Sequence, residues 1–251
     1  MGCGVNHARE ANAHAQCTPK DANVTTTRFL PPFDVICFDC DSTLTTLEGI
    51  DELAVRAGIA DQIVPLTTAA MDGTLTIDQV YAKRLELIRP NAAALAWVGQ
   101  RYVEEIVPGA KKTIATLTAL GKAVHIISGG LLQPVLDIAK ALGVPPDRVH
   151  AVPVLLDASG NYAGFDETSP LAKKGGKATV CRAIRERFGR VALVGDGVTD
   201  LEARDGGAAV IGFGGVVARP LVQAGADIFI PGPSLTAVLP ALLTSQELAD
   251  V

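Results

Sequence analysis

Two sequence periods alternate along this chain, and that alternation limits its fold more than any other feature. Short apolar runs rich in Val and Ile, at residues 33–40, 123–127, 149–156, 191–194, 208–211 and 226–230, are separated by stretches with helical spacing. Such alternation predicts a Rossmann-like parallel α/β sheet joined by right-handed crossovers. A chain of 251 residues, 48% hydrophobic and 20% charged, can bury one full core and carry a small second unit.

The interval 45–107 interrupts the alternation. Leu47, Ile50, Leu53, Ala54 and Ala57 recur at helical spacing, as do Val80, Leu87 and Ile88, and no strand pattern lies between them. Pro90 and Pro108 punctuate its end. The expected organisation is an α/β core made of residues 33–44 and 108–251, a helical cap at 45–107, and a tail at 1–32. Residues 155–165, with Ser159-Gly160-Asn161 in the middle, read as a hairpin.

Charge and composition exclude several functions. A net charge of −5 gives no basic face for nucleic acid. No apolar stretch approaches bilayer length, and residues 1–32 lack the apolar centre of a secretory signal, so a cytoplasmic protein is expected. Asn6 stands where an N-myristoylation signal needs Ser or Thr. The five cysteines form no disulfide framework. Cys37 and Cys40 are a C-x-x-C pair, but on a strand residues three apart face opposite ways and share neither a metal nor a disulfide.

Several apolar runs end in clusters suited to chemistry: Asp39-Cys-Asp-Ser-Thr43, Ser128-Gly-Gly130 and Gly195-Asp-Gly197. Ligands of open α/β sheets bind at the carboxyl ends of strands, so these clusters should converge. Asp39 and Asp41 so close together would repel without a cation. With Asp196 and Asp200 they form an oxygen-only set that suits Mg²⁺ better than zinc. A lone Asp after a strand is equally a helix N-cap; the repetition of clusters favours a site.

Ser128 and the backbone of Gly129 and Gly130 suit a phosphate at a helix start, and they also suit an ordinary turn. Lys177 follows Gly175-Gly176 at a helix start, where a cation is unfavourable unless an anion lies nearby; with Lys173 and Lys174 it also reads as a solvated basic cluster. Arg84 falls four residues after Val80 and four before Ile88, on the stripe that faces inward. A guanidinium there needs an anion, either a ligand carboxylate or an acidic residue of the same helical segment. Trp97, Tyr81 and Tyr102 read as packing or rim residues. None of the four histidines has the setting of a metal ligand or nucleophile.

Taken together, Asp39-Cys-Asp-Ser-Thr-Leu-Thr45, Ser128-Gly-Gly130, Lys177 and Gly195-Asp-Gly-Val-Thr-Asp200 resemble the four signature motifs of the haloacid dehalogenase superfamily. Glu48-Gly-Ile-Asp-Glu-Leu-Ala54, Met71-Asp-Gly73, Arg84-Leu-Glu-Leu-Ile-Arg-Pro90 and Ile211-Gly-Phe-Gly-Gly215 narrow the resemblance to its phosphoserine phosphatase family. It spans about residues 33–243.

The resemblance implies a Mg²⁺-dependent phosphatase acting on O-phospho-L-serine in the last step of phosphorylated serine biosynthesis, as a monomer or homodimer. Asp39 would be the nucleophile, and Asp41 the general acid and then the general base. Mg²⁺ would be held by Asp39, the main-chain carbonyl of Asp41 and Asp196, with Asp200 in support. Ser128, Gly129 and Lys177 would bind phosphate, Thr199 would line the site, Glu48 would meet the substrate ammonium, Arg84 its carboxylate, and Met71 would belong to the lid. For Glu48 the role rests on resemblance alone, because it lies off the apolar stripe of its helix. A phosphotransferase, or a phosphatase for another small phosphomonoester, is the nearest alternative. A receiver-like signalling domain is the alternative from another class.

Overall fold

The computed structural model describes Met1 and residues 30–251. In chain order the strands are β1 (Val35–Phe38), β2 (Ala123–Leu131), β3 (Val149–Val152), β4 (Val154–Leu156), β5 (Tyr162–Phe165), β6 (Val191–Gly195), β7 (Ala209–Phe213) and β8 (Ile228–Ile230). Six of them form one sheet in the order β3-β2-β1-β6-β7-β8. Every pairing in that sheet is parallel.

The central strands β1, β6 and β7 are buried throughout. Burying each Val, Ile or Phe there is worth ~1.5–3 kcal/mol, which explains runs that are apolar at every position. Burial also leaves the strand ends as the only place where polar side chains can emerge. From β1 the chain moves to β2 and β3 on one side, then returns to β6 on the other side of β1 and continues outward through β7. Connections therefore diverge between β1 and β6, opening a crevice at their carboxyl ends. Phe38 pairs with Val194. That register sets Asp39 level with Gly195, and the Asp39 N–H donates to the Val194 carbonyl at 2.9 Å.

Four helices occupy the interval after β1: α1 (Gly49–Ala57), α2 (Ala60–Met71), α3 (Ile77–Ile88) and α4 (Ala92–Glu104). Asn91 caps α4 by accepting from the Ala94 N–H, and Thr76 and Gln79 form a capping box on α3. The core helices follow: α5 (Ala110–Ala119), α6 (Leu132–Leu142), α7 (Gly176–Phe188), α8 (Val198–Leu201), α9 (Pro220–Gly225), α10 (Leu239–Leu242) and α11 (Ser245–Ala249). Helix α4 packs on α6, which brings the four-helix segment down onto the core.

Two sequence expectations are corrected. The single run 149–156 is two strands divided at Pro153, whose missing N–H and fixed φ end the ladder. Its first half joins the main sheet. Its second half pairs antiparallel with β5 as the expected hairpin. Ser128, Gly129 and Gly130 are not a turn opening a helix: they lie inside β2, at a shift of register between Ile127 and Leu131, and α6 begins only at Leu132. Most of the expected tail 1–32, including Asn6, Cys3 and Cys17, lies outside the described residues. Cys37, Cys40 and Cys181 are free thiols. No helix among the described residues is long and apolar enough to cross a membrane.

Candidate active site

The loop after β1 curls over a single carbonyl. The N–H groups of Thr43, Leu44 and Thr45 lie 3.3, 2.8 and 3.1 Å from Cys40 O. Ser42, with φ of 52°, sits in the left-handed region that non-glycine residues seldom adopt. Its hydroxyl donates to Glu48 at 2.8 Å, tying the loop to the start of α1. This curl turns Asp39 and Asp41 toward one cleft.

The core wall of the cleft is a closed set of ion pairs. Lys177 Nζ lies 2.9 Å from Asp39 Oδ2 and 2.5 Å from Asp200 Oδ1. These two carboxylates are the anions that a cation at a helix start requires, so Lys177 is not part of a solvated cluster. The Gly197 N–H donates to Asp200 Oδ2 at 2.9 Å, the Cys40 N–H to Asp39 Oδ1 at 2.8 Å, and Thr43 Oγ1 to Asp196 Oδ1 at 3.1 Å. A Cβ on Gly195 would come within 2.2 Å of the Asp200 carboxyl carbon, so glycine alone fits there.

Burial pushes the Asp39 carboxyl well above the usual range, Asp200 adds to the rise, and Lys177 opposes it. Asp196 is pushed up to about 7 by burial and by Asp200, against Arg219 and Lys177. Burial pulls Lys177 down, but Asp200 and Asp39 outweigh it and hold the ammonium above its ordinary value.

Oxygens of Asp39, Asp196 and Asp200 lie within 4.8 Å of one another. Asp196 Oδ2 is buried without a hydrogen bond. Its nearest cation is Arg219 Nε at 3.3 Å. Three buried carboxylates against Lys177 and Arg219 leave one negative charge uncompensated when all are ionised, and an all-oxygen donor set with an unsatisfied atom fits a hard divalent cation.

Opposite stands a wall built by the helical segment. Arg84 is buried on α3, as its stripe position required. It makes no internal ion pair among the described residues. Nη1 instead donates to Thr67 Oγ1 at 3.1 Å, Thr67 donates to Asp51 at 2.6 Å, and Nε has no partner. Glu48, Met71 and Arg84 line the cleft from this side. Asp39, Asp41, Ser128, Gly129, Lys177 and Thr199 line it from the other. Asp196 and Asp200 lie behind that surface, joined to it through Thr43 and Lys177. The open space is ≈ 800 Å³, the solvent mouth included, enough for a small metabolite.

Ser128 is fully buried, and its Oγ accepts from the Gly130 N–H at 2.9 Å. The expectation of a free Gly130 N–H is thereby corrected: that donor is spent inside the strand bulge, which leaves the Ser128 hydroxyl hydrogen available. A Cβ on Gly130 would lie 2.8 Å from Asp41 Oδ2 and 3.0 Å from Ser128 Oγ.

Asp39, Asp41, Ser128, Gly129, Lys177 and Arg84 thus line one cleft. Residues 33–204 match the family of haloacid dehalogenase-like hydrolases. Phosphoserine phosphatases of Bos taurus and Homo sapiens are each 37% identical over 199 residues, covering 78% of this chain and 88% of the relative. The chain belongs to the haloacid dehalogenase-like hydrolases, within the phosphoserine phosphatase family. A solved phospho-aspartyl intermediate analogue of phosphoserine phosphatase superposes with a TM-score of 0.73 at 28% identity, over 85% of this chain and 100% of that one. A substrate-bound phosphoserine phosphatase complex gives 0.73 at 27%, with the same coverage.

Two site residues escaped the sequence reading. Tyr102, expected only to pack, donates its hydroxyl to Asp41 Oδ1. Arg219 reaches Glu48, Asp72 and Asp196 at 3.5, 3.7 and 3.3 Å. The signal for Arg219 was present, because it precedes the helix that Pro220 opens and so repeats the Lys177 argument of a cation at a helix start. Tyr102 left no such trace: Leu95, Val98 and Tyr102 form an ordinary buried stripe on α4, and nothing in the pattern shows where a hydroxyl ends.

Proposed function

We propose that this chain hydrolyses O-phosphoserine to serine and inorganic phosphate, with Asp39 taking the phosphoryl group and Mg²⁺ as the resident ion. The observation that carries this reading is the pairing across one cleft of the Asp39–Lys177–Asp200 set with a buried Arg84 whose Nε lacks a partner. A phosphoryl group alone would leave Arg84 unexplained. A substrate carboxylate at the far end gives it a charge-assisted partner.

In this reading Lys177, Ser128 and Gly129 hold the phosphoryl oxygens while an Asp39 oxygen attacks phosphorus in line. The P–O bond to serine breaks as the Asp39–P bond forms, and Asp41 delivers a proton to the departing oxygen. Asp41, now ionised, takes a proton from water as the water oxygen bonds phosphorus and the Asp39–P bond breaks. Glu48 receives the substrate ammonium and Arg84 its carboxylate; Met71 and Thr199 close the apolar and polar rims. Asp39, Asp196 and the Asp41 carbonyl would hold Mg²⁺, with Asp200 in support, and the ion when bound neutralises charge on the transferring group. The helices between residues 45 and 107 serve as a cap over the strand ends of a core formed by 33–44 and 108–251.

Phosphate release from a panel of phosphomonoesters, with and without Mg²⁺, tests the assignment. O-phosphoserine should head the panel by kcat/KM, chelator should abolish turnover, Mg²⁺ should restore it, and Ca²⁺ should inhibit. Full activity in chelator, or a preferred substrate without an amino-acid end, would contradict it.

A further inference from the structure

We propose that Tyr102 is a positioning residue for Asp41, holding one carboxyl oxygen so that the other is the one that exchanges protons with the substrate. The proposal rests on the reading of Asp41 as proton donor. The two oxygens of that carboxyl have different surroundings. Oδ1 accepts both the Gly49 N–H, at 2.9 Å, and the Tyr102 hydroxyl. Oδ2 points instead toward the Ser128–Gly130 edge of the cleft, 2.8 Å from where a Gly130 Cβ would lie. With two donors already on Oδ1, a proton carried by Asp41 resides on Oδ2, the oxygen that faces the edge of the cleft where the proposed function seats the phosphoryl group.

Tyr102 is itself immobilised. It is 1% exposed, anchored on α4 beside Leu95 and Val98. A Cβ on Gly49 would fall 2.0 Å from its hydroxyl oxygen, so the start of α1 must be glycine for the phenol to reach Asp41. If Tyr102 only filled space, phenylalanine would serve equally and the hydroxyl would have no task. The contact instead links α4 directly to the loop that follows β1, so seating of α4 and orientation of the proton donor are one event.

The chemical consequence depends on the leaving group. In the first step the P–O bond to the alcohol breaks as the Asp39–P bond forms, and the proton on Asp41 Oδ2 moves to the departing oxygen. An alkoxide needs that proton; a nitrophenolate leaves without it. A carboxyl free to rotate would therefore slow alkyl esters and spare activated aryl esters, whereas a loosened pocket would slow both.

The test is a series of alkyl and aryl phosphate monoesters on wild type, Tyr102→Phe, Gly49→Ala and Asp41→Asn, with log kcat/KM plotted against the pKa of the leaving alcohol, and circular dichroism to confirm folding. Tyr102→Phe should lose about ten- to a hundredfold on alkyl esters and less than about threefold on nitrophenyl phosphate, steepening the plot in the sense that Asp41→Asn steepens it further. Gly49→Ala, which keeps the hydroxyl but displaces it, should show the same pattern, and it carries the test if the phenylalanine variant does not fold. A steeper plot for Asp41→Asn with parallel plots for both other variants overturns the positioning role while leaving Asp41 as the acid. Parallel plots for all three overturn the proposal together with the reading of Asp41.

Discussion

The two walls of the cleft satisfy their polar groups in opposite ways. On the core wall, polar groups from three separate segments are one another's partners: Lys177 with Asp39 and Asp200, Thr43 with Asp196, the Gly197 backbone N–H with Asp200. The atoms left over there, Asp196 Oδ2 and Arg219 Nε, lie beside the proposed cation position. On the helical wall, Arg84 Nε and the Tyr81 hydroxyl are buried without partners. A buried donor without an acceptor costs roughly 1–3 kcal/mol, more when charged, so a ligand that supplies the acceptor recovers that cost on binding. Under the proposed function, the core wall needs only its cation to handle the phosphoryl group, and the helical wall is completed by what the substrate carries beyond its phosphate.

The largest effect should come from the core wall. Asp39→Asn nearly preserves shape but replaces the attacking carboxylate with an amide, so turnover of every phosphomonoester should fall at least about a thousandfold with the fold intact by circular dichroism. Retention of more than about one-thousandth of wild-type phosphate release would mean another nucleophile.

Arg219 joins the two walls, since it faces Glu48 and Asp72 on one and Asp196 on the other. These contacts run from 3.3 to 3.7 Å, longer than a close charge-assisted hydrogen bond. Arg219→Ala should raise KM for O-phosphoserine about five- to twentyfold and leave kcat within about threefold. A collapse of kcat would move Arg219 into the chemistry of the core wall.

Buried polarity outside the cleft should affect stability and not turnover. His125 Nδ1 and His150 Nε2 lie 3.1 Å apart with stacked rings, tucked under Phe188. Burial, His150 and Arg148 hold His125 down to about 4, with Arg187 acting the same way and Asp147 opposing. The unfolded chain takes up a proton near pH 6.5 that the folded chain refuses until about pH 4. The stability from neutral His125 is therefore complete above pH 6.5 and lost as pH falls through that window. Tm should drop between pH 7 and 4.5, and His125→Gln should drop less while keeping kcat/KM at pH 7 within about twofold. Identical pH dependence in both proteins would remove His125 from the account.

What could be read from the sequence divides along the same two walls. The sheet was legible because strands buried on both faces must be apolar throughout and their ends must carry whatever is polar; Asp39, Asp196 and Ser128 stand out for that reason. Arg84 was legible because a cation on an apolar stripe contradicts its surroundings. The split at Pro153 is legible as well, because a proline has no N–H to give the ladder. The bulge that holds Ser128 to Gly130 inside β2 was hidden, because a glycine pair reads as a turn in sequence and only the register with β3 shows the strand continuing. Tyr102 was hidden for a deeper reason: its ring obeys the packing pattern of α4, and its contact with Asp41 is made by the last atom of the side chain.

The division between the walls is tested most directly by comparing Arg84→Ala with Lys177→Ala on O-phosphoserine and on an aryl phosphate that has no carboxylate. Arg84→Ala should lose about thirty- to a thousandfold in kcat/KM on O-phosphoserine, equal to ~2–4 kcal/mol of transition-state stabilisation, and far less on the aryl ester. Lys177→Ala should damage both substrates alike, because both present the same phosphoryl group to the core wall. Equal losses on the two substrates in a folded Arg84→Ala protein would contradict the account, since the helical wall would then be handling phosphate or merely supporting the fold.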